Sequence, residues 1–562
     1  MSIRSLLTIS FAFSTFGLFS QNNYTPTYNE LLTEYRALNR NYTSISKLDS
    51  FEVTDRGIPL HLLIISADGV FSRNSLEDRT VVLIMNGIHP GEPCGINASL
   101  DFARAKLESP DKNVVYCIIP VYNIGGMLNR GSYSRANQVG PNSYGFRGNT
   151  KNLDLNRDFI KADSRNVMAF YKIFHHWRPN IFIDTHTSNG ADYQPTLTLL
   201  SSFPENMEPE MGSYLTHTME PALYTAMKSK GEEMVPYVNV FRTTPDSGFK
   251  AFTDHPRYST GFASLFNTIG FTTEAHMLKP FHQRVKATLK FLNVIADFSE
   301  ENYEELIQLK NTADSLSLKR TSVPFNWKVS EKADSIEFPG YAANMNTISQ
   351  VTLLPTLRYD RSNPYRKKIP FFKHHQAEDE YDIPSYYVLS GAWTDIIQLL
   401  DLNQVAYEEL KNDTAIEVRS IYIDTYKSYD KPYEGHFKHY EIQTTEKIQS
   451  IQFFPGDVIV PTNQPAIKYL AHIFNPKAAD SFFSWNFFDS CLMRKEYFSS
   501  YVFDQTAAEL LKANPELGEE LEEMRKSNPD FAANSREQLR FIYERSPYYE
   551  ESHRRLPVYE LD

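Results

Sequence analysis

His89 and Glu92, three residues apart in Asn86-Gly-Ile-His-Pro-Gly-Glu-Pro, form a pair able to hold a metal ion. The spacing alone is not selective, because His217/Glu220 and His375/Glu378 repeat it. Position separates the first pair. It follows directly on the apolar run 81–85, on a turn supplied by Gly87, Pro90 and Gly91. Open α/β sheets gather their ligands just beyond the carboxyl ends of strands. His217/Glu220 falls in a helix-like stretch, where an exposed face accounts for it. His375/Glu378 falls in the polar run 373–382, expected as a solvated loop.

The same rule selects a third ligand. His186 follows the strand-like Ile181-Phe-Ile-Asp-Thr at once. Its rivals are His276, just past another strand end, then His255 and the pair His175/His176, which a helix end and solvent can satisfy. Two histidines and one carboxylate leave a fourth position open for water, the pattern of a catalytic rather than a structural zinc site. Ligand type alone does not exclude iron; zinc is favoured for hydrolytic chemistry in an exported protein. A third strand end carries Glu274, in Gly-Phe-Thr-Thr-Glu, placed to act as a general base on water.

Between these elements runs Phe146-Arg-Gly-Asn-Thr-Lys-Asn-Leu-Asp-Leu-Asn-Arg-Asp-Phe. Asp154 and Asn156 alternate with leucines, so an extended segment points both to one side. Asp154 can orient a ligating histidine through its second ring nitrogen. Arg157, beside Asn156, can grip a carboxylate bidentately. Arg147 can polarise a carbonyl and stabilise its oxyanion.

The elements that must position these groups are legible as periodicity. Short apolar runs at 60–66, 81–86, 114–121, 181–185 and 269–273 read as strands, with helical patterns at 97–107 and 164–177 between them. The fold class expected is α/β: an α/β/α layered domain around a mixed, largely parallel sheet, then a β-rich region and a helical C-terminal region. The boundaries expected are a signal peptide over 1–20, a catalytic domain over 21–320, a β-rich or α/β accessory domain over 335–465, and a mostly helical region over 466–562.

In this order, H-P-G-E, D-L-N-R-D-F, D-T-H and a late strand-end glutamate resemble the zinc carboxypeptidase family, over about residues 80–285. The resemblance implies one zinc ion held by His89, Glu92 and His186, and Glu274 as general base. It also implies Arg147 beside the transition state, and Asn156 and Arg157 on the substrate's terminal carboxylate. The implied partner is a peptide with a free C-terminus. Tyr258 is the candidate for the family's substrate-contacting tyrosine and Tyr237 its rival; Arg130 and Arg135 compete with Arg147. Where the family has Asn-Pro-Asp-Gly, this chain has Asn123-Ile-Gly-Gly. Two alternatives stand beside the peptidase: a zinc-dependent deacylase acting on N-acyl amino acids, and a binding protein built on a degenerate enzyme domain.

Composition excludes other classes. A net charge of −12 with no basic stripe argues against nucleic acid as a partner. Neither H-E-x-x-H nor G-x-S-x-G occurs, which removes one branch of zinc proteases and weakens a serine hydrolase. Three cysteines, Cys94, Cys117 and Cys491, make no disulfide framework. Arg4, the apolar stretch 5–19 and Ser20 form a secretory signal pattern, with an uncleaved anchor as its rival. No later segment is apolar for the roughly 18 residues of a membrane span. The expected destination is outside the cell or the periplasm.

Overall fold

The computed structural model describes residues 23–73 and 78–562, so the signal pattern lies outside the described residues. Eight strands make the main sheet: β1 (Ser46–Val53), β2 (Pro59–Ile65), β3 (Thr80–Asn86), β4 (Val114–Ile119), β5 (Ile181–Ser188), β6 (Leu197–Ser201), β7 (Met234–Pro236) and, after the short β8 (Phe249–Lys250) that pairs elsewhere, β9 (Ile269–His276). Their spatial order is β1-β2-β4-β3-β5-β9-β6-β7. The four central strands, β4, β3, β5 and β9, run parallel, and antiparallel pairs flank them. The mixed, largely parallel sheet is therefore present.

The central strands β3 and β4 are buried along their whole length and predominantly apolar because both faces are covered, while β5 and β9 turn polar toward their carboxyl ends. Along β3, Val82 and Ile84 enter one core while Val81, Leu83 and Met85 enter the other. Helices α1 (Tyr28–Asn41), α2 (Cys94–Glu108), α3 (Arg165–Trp177), α4 (Ser259–Leu265) and α5 (Phe281–Glu301) supply the layers. The first core takes α1, α2 and α5; the second takes α3 and α4. Helix α3 shows how local sequence sets its limits. The Ser164 hydroxyl accepts from the Val167 amide at its start, and Arg178 turns left-handed at φ +43° before Pro179 at its end.

Beyond residue 320 the chain is mostly strand: β10 (Ser322–Val329), β11 (Asp334–Ile348), β12 (Pro355–Phe372), β13 (His375–Asp382), β14 (Tyr386–Leu389), β15 (Glu408–Glu409), β16 (Thr414–Ser428), β17 (His439–Phe453) and β18 (Val458–Pro461). Helices follow from Ser500 to Tyr543, and Pro515 and Pro529 each open one, where the missing N–H costs nothing. The chain then ends in β19 (Arg555–Leu561), which slots between β14 and β16 in a sheet of order β15-β18-β14-β19-β16-β17. The segments divided by composition are thus interleaved: β8 of the first part pairs with β12. The second core of the main sheet continues through Tyr387, Tyr469 and Trp485. Cys94 and Cys117 are buried and all three cysteines are free thiols. Among the described residues no helix is long and apolar enough to cross a membrane.

Candidate metal centre and substrate cavity

The three parallel strands β3, β5 and β9 end side by side, and the chemistry-bearing residues sit on those ends. Gly87, at φ +62°, turns the chain out of β3 toward His89, a conformation glycine adopts freely. His186 lies near the end of β5, and Glu274 is its register partner on β9.

His89, Glu92 and His186 converge so that one donor atom from each lies within 4.8 Å of the others. All three are at most 4% exposed. His89 Nδ1 is 3.3 Å from Glu92 Oε1, and His186 Nδ1 is 3.1 Å from Glu92 Oε2. The opposite ring nitrogens face carboxylates: His89 Nε2 is 2.8 Å from Asp154 Oδ1, and His186 Nε2 is 2.9 Å from Asp184 Oδ2. A proton held on His89 Nε2 by Asp154 leaves its Nδ1 lone pair turned to the cluster, which is what a metal requires of imidazole; His186 Nδ1 faces the cluster likewise, while its Nε2 lies near Asp184 without a hydrogen bond. Two imidazoles and a carboxylate, so backed, fit zinc.

Glu92 is drawn in from several sides. Arg135 Nη2 donates to its Oε1 at 2.7 Å, and the Thr187 amide donates to its Oε2 at 2.9 Å. Burial alone would push its carboxyl up, but Arg135, His89 and His186 hold it well below the usual carboxylate range. Asp154 is likewise held low against its burial by His89 and Arg147. Glu274 goes the other way: burial pushes its carboxyl up to about 8, and its Oε2 is buried with no hydrogen-bond partner.

Arg147 forks onto Asp154 Oδ2 through Nε (3.0 Å) and Nη2 (2.8 Å), which leaves Nη1 3.4 Å from Glu92 Oε1. Its loop is fastened by Asn123, whose Nδ2 donates to the carbonyls of Ile88 and Arg147. Gly126 lets that loop approach, since a Cβ there would meet Phe146 O at 2.5 Å and Gly148 O at 2.8 Å. The divergent Asn123-Ile-Gly-Gly segment therefore joins the ligand turn to the Arg147 loop.

These groups open into one cavity of about 570 Å³. His89, Glu92, Arg147, His186 and Glu274 line it, and so do Asn156, Arg157 and Tyr258. Asp154 stands behind His89. The Asn156 Oδ1 accepts from the Ser259 amide (3.0 Å), which ties the Asp154–Arg157 stretch to the start of α4. The Tyr258 ring lies between two guanidinium groups, 4.6 Å from Arg157 and 5.1 Å from Arg257, as a platform for Arg157. Tyr237 lines the cavity as well.

Of the rival residues, Arg135 and Tyr237 line the cavity, and the others lie elsewhere. His276 stacks on Tyr193 at 4.3 Å and faces Asp192. Arg130 binds the backbone carbonyls of Thr25 and Pro26. His217 is exposed on its helix, beside Ser213. Two expectations are corrected. His375/Glu378 is not in a solvated loop but in β13, paired with β10, and His375 stacks on Phe203 at 4.3 Å. His175 is not satisfied by solvent at a helix end; it is buried and its Nε2 is 3.0 Å from Asn403 Oδ1.

Sequence reasoning misses four contributors. Asp184, behind His186, is findable, because it stands two residues earlier on the same face of a strand. Arg135 reads in the sequence as a partner for a carbonyl, not for Glu92. Tyr433 and Glu434 reach the site from the second region: Arg157 Nε donates to the Tyr433 hydroxyl (3.0 Å), and the Asp154 amide donates to Glu434 Oε2 (2.7 Å). No local signal marks them.

The fold and the site together define a mixed α/β protein with a buried His/Glu/His cluster at the carboxyl ends of parallel strands. No family model and no curated protein matches the chain. Solved structures similar to it include metallo-carboxypeptidases. One, from Burkholderia cenocepacia, is 16% identical over 49% of this chain and 69% of its own, with a TM-score of 0.37. Carboxypeptidase A from Helicoverpa armigera is 14% identical over 50% and 75%, with a TM-score of 0.36. Bovine thrombin-activatable fibrinolysis inhibitor, in complex with tick carboxypeptidase inhibitor, is 14% identical over 50% and 100%, with a TM-score of 0.37.

Proposed function

We propose that this chain is an exported zinc-dependent carboxypeptidase that hydrolyses the last peptide bond of peptides bearing a free C-terminal carboxylate. The observation that carries the reading is the convergence, in one cavity, of the His89/Glu92/His186 cluster, the unpartnered Glu274 carboxyl and the Arg157 guanidinium. His89, Glu92 and His186 would hold the ion. Zinc bound there supplies a Lewis acid and makes water acidic near neutral pH.

The chain's own groups account for the rest. Arg157 spends Nε on Tyr433 and Nη1 on the Asn156 carbonyl, and its remaining N–H donors take the substrate's carboxylate. Asn156 and the Tyr258 ring keep that guanidinium at the cavity wall. Arg147 Nη1 donates to the scissile carbonyl oxygen as negative charge develops there. Glu274 takes a proton from the attacking water, whose hydroxyl adds to the carbonyl carbon. It then delivers that proton to the departing amine as the C–N bond breaks. Export is supported by the Arg4 to Ser20 pattern in the sequence.

Metal content measured alongside cleavage products tests the reading. Purified protein with one zinc per chain should release single C-terminal residues from peptides. Release of the acid from N-acyl amino acids, with peptides untouched, would replace it by a deacylase; hydrolysis of neither by zinc-loaded protein would leave a binding protein.

A further inference from the structure

The turn between β16 and β17 reaches the cavity wall from the second region. Tyr433 and His436 exchange backbone hydrogen bonds around Glu434 and Gly435, both left-handed at φ +50° and +87°. That is the geometry of a two-residue hairpin turn, in which asparagine or glycine is the usual first residue. Glutamate is an unfavourable choice there on backbone grounds, and such choices concentrate where a side chain is needed for function. Its Oε2 accepts the Asp154 amide at 2.7 Å. One residue earlier, the Tyr433 hydroxyl accepts from Arg157 Nε at 3.0 Å. The tip is anchored on both sides: the Tyr433 ring stacks on the buried Trp485, and His436 Nε2 lies 2.8 Å from Asp163 Oδ2.

One turn thus grips both ends of the Asp154-Leu-Asn-Arg157 stretch. At one end stands the carboxylate behind His89, and at the other the guanidinium on the cavity wall. Without the Tyr433 hydroxyl, the contacts that remain on Arg157 are the Asn156 carbonyl, the face of Tyr258 and a long ion pair from Nη1 to Asp154 Oδ2 at 3.8 Å. None of them holds Nε, so the rotation of the guanidinium about its long side chain is less fixed, and bidentate capture of a carboxylate depends on that rotation.

We infer that Tyr433 and Glu434 are positioning residues for substrate carboxylate capture, so that the second β-rich region completes the binding site built on the first. This rests on the carboxypeptidase reading. It gives the C-terminal half of the chain a role in substrate binding, because the Arg157 donors are aimed by a residue 276 positions away.

The test uses the full chain and Tyr433→Phe, which keeps the ring on Trp485 and removes only the hydroxyl. The probes are N-acetyl dipeptides ending in Ala, Phe, Lys or Glu, each with its C-terminal amide as control. The variant should show KM for the acids raised about tenfold, the scale of one hydrogen bond to a charged group. Its kcat, its metal content and the cleavage of the amides should stay as in the wild type. Glu434→Ala should lower both metal affinity and capture, and Glu434→Gln, which keeps an acceptor oxygen, should restore them. Unchanged KM for the acids in Tyr433→Phe, with a wild type that cleaves them, overturns the inference and leaves the carboxypeptidase reading intact. If the wild type cleaves none of the probes, that reading fails, and calorimetric binding of the same acids decides the inference. Weaker binding by the variant upholds it; equal binding, or binding by neither protein, overturns it.

Discussion

His186 and Glu274 are register partners on adjacent parallel strands, and their environments set them apart. His186 is backed by Asp184 at 2.9 Å and faces Glu92 at 3.1 Å. Glu274 stands half-buried beside it, with one carboxylate oxygen buried and unpartnered. On the proposed reading the two neighbours do different work, one held for a metal and the other free to exchange a proton. Glu274→Gln keeps the size of the side chain and removes its basicity. Turnover should fall by about two orders of magnitude or more, the scale of a positioned acid/base group, with zinc content unchanged. Near-normal kcat would remove Glu274 from the mechanism.

The carboxylates behind the histidines make a separable prediction. His186→Ala should lose zinc outright, seen by metal analysis after dialysis. Asp184→Asn and Asp154→Asn leave all three ligands in place and change the group facing each Nε2; Asp154→Asn also weakens the Arg147 fork, and Asp184→Asn the contact with the Ser259 hydroxyl. Zinc affinity should fall about 10- to 100-fold in each, the usual effect of removing such a partner. Full metal occupancy in His186→Ala would require another donor, and His276, stacked on Tyr193 and turned to Asp192, is not placed to serve.

Zinc binding should also register as stability. A ligand that binds only the folded chain stabilises it by about 2.7 kcal/mol at a hundredfold excess over Kd. Chelation should lower Tm, zinc should restore it, and His186→Ala should show neither change. An equal Tm with and without chelator in the wild type would mean that the cluster holds no ion of consequence.

What is legible in the sequence follows from where a residue sits on a strand. His89, His186 and Glu274 each stand at the end of an apolar, β-branched run, and a parallel sheet brings such ends together whatever the loops do. Asp154 and Arg147 are legible as apt residue types near the ligands, and the fork of Arg147 onto Asp154 is the contact that joins them. Tyr433 and Glu434 are not legible, because their places are set by how β16 and β17 dock onto the first region. His175 misleads for the same reason: a helix end that reads as exposed is covered by Asn403 from the second region. The polar run at β13 misleads differently, since a strand that leaves most of its side chains in solvent carries little apolar signal.

The buried His175 supplies a prediction on pH. Burial lowers its pKa from 6.5 to about 4, so the folded chain holds it neutral against Asn403. Below pH 6.5 the unfolded chain takes up a proton that the folded chain refuses until about pH 4, so this residue's contribution is complete above 6.5 and is lost as pH falls through that window. Other buried groups titrate there too: burial raises Asp254 and Glu560 to about 7, which acts in the opposite direction. The informative quantity is therefore the difference between the wild type and His175→Gln, in which those groups cancel. At pH 7.5 the variant should be less stable, because glutamine cannot reproduce the ring's packing against Phe266 at 4.6 Å. As pH drops below 6.5 the gap should close by at most about 1.4 kcal/mol per unit, since only the wild type pays to keep a neutral imidazole. Urea unfolding at pH 7.5, 6.0 and 5.0 measures it. A gap that stays constant across the three would show that His175 protonates freely in the folded protein, and that the second region does not seal the end of α3.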